Sequence, residues 1–403
     1  MPNMSRGIAI AVLFYAAIHS TSSEATEPIV STLRVPNEGI QPQVVVGKDG
    51  TVHMVYYKGE ATAGDVFYVR STDGGKSFSN SIRVNSQAES AIAAGTIRGA
   101  HLALGKNDRV HVAWNGSGKA KPKGLPNPQL PEDSPYRHSA PMLYARMKAD
   151  GTGFEQQRNL MTSTYSLDGG GSVAADGDGN VYVVWHANST NGSPGEGARA
   201  VWVATSRDDG KTFTPESRAN GQETGACGCC GLRATADRLG NVFILYRSAM
   251  NTINRDMYVL TSKDKGQSFK AAKLDKWEVG QCVMSSASFH TGSDSTLASW
   301  ETEHQVKFAR VDRLLPRSLS SVAAPKLSEQ TRKHPVLCTN STGQVILAWT
   351  EGTGWQKGGS VAWQIFDENG NPVADGAGQA DGVPVWGLAA VFTGPNDEFT
   401  VVY

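Results

Sequence analysis

The chain has 403 residues, with 38 basic and 38 acidic side chains that leave no net formal charge, and 39% of its residues are hydrophobic. That balance, with no long basic stripe interleaved with aromatics, argues against a nucleic-acid partner. Beyond the N-terminus no run of about 18 apolar residues is present to serve as a membrane-spanning segment.

Taken in chain order, Arg6 is followed by the apolar stretch 7–18 and by small polar residues up to Ala25. This pattern predicts a cleaved secretory signal peptide over residues 1–25, with no cysteine at the cut to carry a lipid. The mature protein, residues 26–403, is therefore expected to be secreted or periplasmic. A strand is expected around residues 32–35. Alternation and turn residues then place strands at 43–46, 52–57, 66–70 and 82–85, the first two joined by the Gly47-Lys48-Asp49-Gly50 turn. Similar quartets begin near Ala100, Val173, Leu232, Ser285 and Val336, and residues 388–403 supply two more strands.

In each unit the second strand follows a Gly/Asn/Asp turn and ends on an aromatic residue: Tyr56, Trp114, Trp185, Tyr246, Trp300, Trp349 and Tyr403. These recur at steps of 49 to 71 residues. That period suits one four-stranded sheet per unit, repeated radially. The expected fold is an all-β propeller forming a single domain over residues 26–403, with seven blades by repeat count and six as the alternative. The N-terminal strand would close the ring and cover free sheet edges.

Three segments between third and fourth strands share the pattern Ser-x-Asp-x-Gly-x-Ser/Thr-Phe: residues 71–78, 206–213 and 262–269. They resemble the Asp boxes of sialidases and related propellers. In such a turn the carboxylates of Asp73, Asp208 and Asp264 accept backbone N–H groups, Gly takes positive φ and Phe fills space between sheets, a structural role. The resemblance implies a secreted propeller that binds anionic glycans, or binds and cleaves them as a glycoside hydrolase of the exo-sialidase type or as a polysaccharide lyase. It further implies an arginine triad for the substrate carboxylate, a Tyr nucleophile activated by Glu, and an Asp acid/base. Leu33-Arg34-Val35-Pro36 is similar to the Arg-Ile-Pro motif that supplies the first of those arginines. The Asp-x-Arg and C-terminal Tyr-Glu pairings of that family are not evident here.

If the Asp boxes occupy one face, the segments leading into each first strand and the loops after each aromatic converge on the other. This predicts a polar central funnel in which Arg34, Arg98, His101, His186, Arg233, Arg247, Arg332, His334, Trp355 and Trp386 bind substrate and Asp168, Glu301 and Glu351 perform acid/base chemistry. Asp168 precedes three glycines, a pattern that serves either an anion-binding loop or a tight backbone approach. The same phase of the repeat holds Cys227, Cys229, Cys230, Cys282 and Met284. These suit copper or zinc, and they equally suit disulfides or a redox-active dithiol in an exported chain, with Cys338 free inside a strand. The second functional reading is accordingly an exported, non-enzymatic propeller that binds a metal or another small ligand.

Overall fold

The computed structural model describes Met1 and residues 30–95, 97, 99–292, 295–311 and 322–403. Residues 2–25 of the expected signal peptide, and Arg98, lie outside the described residues. The rest forms seven small sheets and almost no helix. The first strand of each sheet adjoins the first strand of the next, and the seventh returns to the first, which closes a seven-bladed propeller around an axis.

Blade 1 comprises Ile40–Val46, Val52–Glu60, Ala63–Ser71 and Ile82–Arg83, and blade 2 comprises His101–Leu104, Val110–Asn115, Met142–Arg146 and Arg158–Asn159. Blade 3 is Gly171–Ala175, Val181–Ser189, Ala200–Ser206 and Ser217–Arg218, extended at one end by Thr164–Tyr165. Blade 4 is Arg233–Ala236, Val242–Arg247, Met257–Ser262 and Lys270–Asp275. Among the described residues blade 5 holds three strands, Ala287–Thr291, Thr296–Thr302 and Gln305–Arg310, and an isolated bridge from Phe308 to Ala323. Blade 6 is Arg332–Thr339, Val345–Glu351, Gly359–Phe366 and Pro372–Val383. Blade 7 pairs Ala390–Thr393 and Phe399–Val402 with Val30–Leu33, so the N-terminal strand closes the ring as the repeat count requires. That strand runs parallel to Phe399–Val402, with Val30 opposite Phe399 and Leu33 opposite Val402.

The repeat explains the core. Each of the seven aromatics packs between its own blade and the preceding one: Trp114 with Val55 and Tyr57, Trp185 with Ala113 and Tyr144, Tyr246 with Val184, Trp300 with Leu245. Tyr403 meets Ile346, Trp349 meets Leu297, and Tyr56 meets Val402. Seven inter-blade clusters result, each with one of these aromatics, and every one of the rings is buried. The hydrophobic burial is thus distributed around the ring.

The Asp-box turns behave as their residues dictate. The Asp73 carboxylate accepts Ser71 Oγ at 2.7 Å and the Ser77 N–H at 3.0 Å, while Ser71 Oγ accepts the Gly75 N–H at 2.8 Å. Asp208 and Asp264 repeat this geometry. The hydroxyl and N–H donors hold the Asp73 and Asp264 carboxyls well below the usual range. These turns share a face with the turns between first and second strands: the Asp209 N–H donates to the Gly179 carbonyl at 2.8 Å.

Candidate functional site

The cavity and the polar cluster occupy different ends of the axis. A cavity of about 950 Å³ runs along it, walled by the first strands of all seven blades, and its mouth is formed by first-to-second-strand turns such as Gly47-Lys48 and Asp176-Gly177-Asp178. It therefore opens on the Asp-box face. The opposite end, where the sequence predicted an open funnel, narrows to a void of about 10 Å³ bordered by Gln41, Ile97, Gly99, Gly231, Ser286 and Leu388. The reason is close backbone approach. A Cβ at Gly169 would sit 2.1 Å from Ile97 Cδ1, and one at Gly170 would sit 2.5 Å from His186 Nε2, so the glycine run lets lead-in segments cross the axis and plug it.

Several of these segments carry a left-handed residue that is not glycine: Gln41 (φ 54°), Met284 (φ 46°), His334 (φ 55°) and Trp386 (φ 63°). Gln41 and His334 sit at bulges in the first strands of blades 1 and 6. A bulge re-aims side chains at the cost of an unfavourable backbone conformation. His334 Nδ1 lies 3.0 Å from Ser286 Oγ as a result, and Gln41 donates to the Ala93 carbonyl at 3.0 Å.

At the throat between cavity and plug stands Arg233, the first residue of blade 4. Its Nε donates to the Ala287 carbonyl at 3.0 Å, and its Nη1 touches the His101 ring, 2.6 Å from Nδ1. Neither partner carries negative charge. Burial lowers the guanidinium to about 10, so it stays protonated at neutral pH, while burial and then the Arg233 charge keep His101 neutral. His334 is held neutral by burial, then by Lys333 and Arg233. Gln43, His101 and Arg233 line both cavity and void, and Ser172, Thr235, Ser288, His290 and Thr291 add polar groups to the cavity wall. Of the carboxylates at the mouth, Asp176 pairs with Asn180, Asp237 with Asn241 and Asp178 with Lys265, and Asp108 borders the cavity as well.

The plug gathers many of the remaining sequence-predicted residues, but buries them. Arg247 donates through Nε to Ser285 Oγ at 2.6 Å and through its other nitrogens to the Arg255 and Glu301 carbonyls. Glu301 is fully buried; its Oε2 accepts the His334 N–H at 3.1 Å and its Oε1 has no hydrogen-bond partner. Burial raises its pKa against the opposing charges of Lys333 and Arg247. His186 Nε2 meets the Cys230 carbonyl at 2.9 Å, and burial, then Arg199, pulls its pKa to about 4. Asp168 is half-buried beside this network, its carbonyl accepting Asn115 Nδ2 at 2.5 Å.

Five predicted site residues lie away from the axis or at its rim. Arg34 is exposed just after the closing strand, where it donates to the Asp381 and Gly382 carbonyls of blade 6 and lies 4.1 Å over the Tyr403 ring. Arg332 and Glu351 pair at 3.2 Å, and Glu351 also accepts Trp349 Nε1 at 2.8 Å. Trp355 is exposed and makes an edge contact, at 4.8 Å, with the buried Trp386. A lone arginine or tryptophan in a repeat shows its phase but not whether a neighbouring blade consumes it, and the sequence reading missed these contacts for that reason. It also missed Arg199, Glu196 and Arg255, which lie outside the repeat phase searched.

The cysteines converge as their positions in consecutive lead-in segments require. Cys229 of blade 4 is bonded to Cys282 of blade 5. Cys227 Sγ lies 2.7 Å from Cys230 Sγ and 3.6 Å from Cys229 Sγ. The contact with Cys230, then burial, pushes the Cys227 thiol well up; burial opposes ionisation of Cys230, yet the Cys227 contact and the Arg247 charge bring it down to about 7. Met284 is half-buried two residues beyond Cys282, and Cys338 is separate, in the first strand of blade 6, 3.4 Å from Thr393 Oγ1 of blade 7.

No family model matches the chain, and no curated protein matches it. Solved structures do. A protein of unknown function from Dyadobacter fermentans is 13% identical, with a TM-score of 0.51 over 80% of this chain and 93% of that one. The NanB sialidase of Streptococcus pneumoniae is 9% identical, at 0.50 over 81% and 68%. The sialidase of Trypanosoma rangeli is 13% identical, at 0.50 over 81% and 54%. The chain thus spans about two thirds of the pneumococcal sialidase and about half of the trypanosomal one. It is a seven-bladed β-propeller that shares its fold with sialidases. Among the described residues no helix is long and apolar enough to cross a membrane.

Proposed function

We propose that this protein is an exported propeller that binds an anionic glycan, a sugar acid whose carboxylate docks on Arg233 at the inner end of the axial cavity. The observation that carries this reading is a protonated guanidinium whose partners among the described residues are all uncharged, at the end of a 950 Å³ cavity. That volume is within the range of about 300–1,000 Å³ typical of small-molecule sites. Ser172 and Thr235 in the cavity wall offer hydroxyl partners for the sugar ring. Fold kinship with sialidases agrees with a glycan ligand, by analogy alone. Binding is the extent of the proposal: Glu301 is buried in the plug and Glu351 is bonded to Arg332 and Trp349, so neither borders this cavity.

Calorimetric titration with N-acetylneuraminate and glucuronate, using glucose as the uncharged match for the latter, tests the reading. Both acids should bind and glucose should not. Removing the guanidinium with Arg233→Met should weaken binding about tenfold to a hundredfold, the value of a charge-assisted pair. Affinity should hold from pH 6 to 9 and fall near pH 10 as Arg233 deprotonates. Equal affinity for glucose would overturn the preference for an anion, and binding that survives Arg233→Met but is lost in Trp355→Ala would move the ligand to the opposite face and overturn the assignment.

A further inference from the structure

Three cysteine sulfurs within 4.8 Å of one another come from a single four-residue stretch, Cys227-Gly228-Cys229-Cys230, and a fourth, from Cys282, is bonded to one of them. The stretch is pinned from three blades. The Cys227 N–H donates to the Arg247 carbonyl at 2.9 Å, the Gly228 carbonyl accepts the Gly169 N–H at 2.8 Å, and the Gly231 N–H donates to the Ser285 carbonyl at 2.9 Å. The Gly228 N–H is held by Glu196 Oε1 at 2.8 Å. A Cβ at Gly228 would lie 1.8 Å from Arg199 Nη1, so a larger residue here would displace that guanidinium. The loop is thus built rigidly around its sulfurs.

Its electrostatic surroundings are unbalanced. Arg199, Arg247 and Arg255 are all buried around the loop with Lys333 nearby, against Glu196, which pairs with Arg255 at 2.7 Å, and the buried Glu301 beside Arg247. Among the described residues Arg199 Nε, Arg255 Nε and Arg255 Nη1 have no hydrogen-bond partner. Orphaned cationic donors in a buried setting are costly unless negative charge stands nearby. Thiolates would supply it, and clustered thiolates are the ligands of thiophilic d10 cations.

We propose that Cys227, Cys229 and Cys230 bind one thiophilic d10 cation, Cu(I) or Zn(II), with Cys282 as the redox-labile neighbour that controls access to the site. The Cys229–Cys282 bond keeps Cys229 from coordinating. A dithiol reductant opens it: two electrons pass to the disulfide, Cys229 and Cys282 take up protons as thiols, and the reductant leaves as its own disulfide. Metal binding then displaces the protons of the three coordinating thiols. Cys282 is exposed, so an external thiol can reach this bond, whereas Cys227 and Cys230 are buried. The inference is independent of the glycan reading and uses other residues.

The test is metal binding by the full chain, reduced under argon, with elemental analysis and competition against a chromophoric Cu(I) or Zn(II) chelator. One ion per chain is expected, with the competition identifying which cation. Binding should be lost in Cys227→Ser and in Cys229→Ser and retained in Cys338→Ser. Because a serine variant can fail to fold, alkylation mapped by mass spectrometry on the wild-type chain gives a second readout: the metal should protect Cys227, Cys229 and Cys230 and leave Cys282 reactive. The oxidised chain should bind at least tenfold less tightly. No stoichiometric metal in the fully reduced chain, or protection of none of the three thiols, would overturn the proposal.

Discussion

His186 shows how a single buried side chain sets the acid limit of the fold. Its ring donates to the Cys230 carbonyl, its Nδ1 has no partner, and its pKa falls to about 4 because burial and Arg199 disfavour the imidazolium. An unfolded histidine titrates near 6.5. The folded value is the lower one, so this contribution is complete above about pH 6.5 and is lost as pH falls from there towards 4, by up to about 3 kcal/mol. His101, His290 and His334 are depressed in the same direction, chiefly by burial. Urea midpoints measured at pH 7.5, 6 and 4.5 should therefore fall steeply for the wild type. His186→Gln, which retains a donor for the Cys230 carbonyl, should show a shallower decline, and an unchanged profile would mean that another group sets the limit.

At the level of the element, the repeat was legible because one physical requirement recurs: each sheet needs a large ring to fill the wedge between it and the preceding blade. Trp300 is fully buried against Leu245 of blade 4, and its Nε1 donates to Asp275 at 3.1 Å. Trp300→Ala should destabilise the protein by about 3–5 kcal/mol, as large-to-small core changes do. Trp355→Ala should change stability by less than about 0.5 kcal/mol, since the ring is largely exposed. Denaturant titration of both variants checks the contrast. The phase of the repeat likewise brought Arg233, Arg247, Glu301, His334 and the cysteines towards the axis. What it could not convey was depth. Whether a lead-in segment lines a funnel or seals it depends on close approaches such as Gly169 against Ile97 and Gly170 against His186, which involve residues more than 15 positions apart and leave no periodic trace. Arg34 was misleading for a related reason, because the carbonyls that consume it belong to blade 6, 347 and 348 residues away.

For the whole molecule, the ring depends on the seventh blade, where Val30–Leu33 lies alongside Phe399–Val402 and the Tyr403 N–H donates to the Leu33 carbonyl at 3.0 Å. The two strands run in the same direction, so residue 30 and residue 403 emerge at opposite ends of the pair. Tension applied between the chain ends would drag the strands past one another along their length, loading the rungs between them together instead of peeling them one at a time. The closure is therefore a mechanical clamp in shear. Single-molecule pulling from residues 30 and 403 should show a high-force first event that releases the whole ring, and pulling across the antiparallel hairpin 390–402 should open it at much lower force. A first event of equal force in the two geometries would show that resistance lies in the inter-blade cores. This makes the propeller a body that resists being drawn out from residues 30 and 403 far better than its modest closing strand of four residues would suggest.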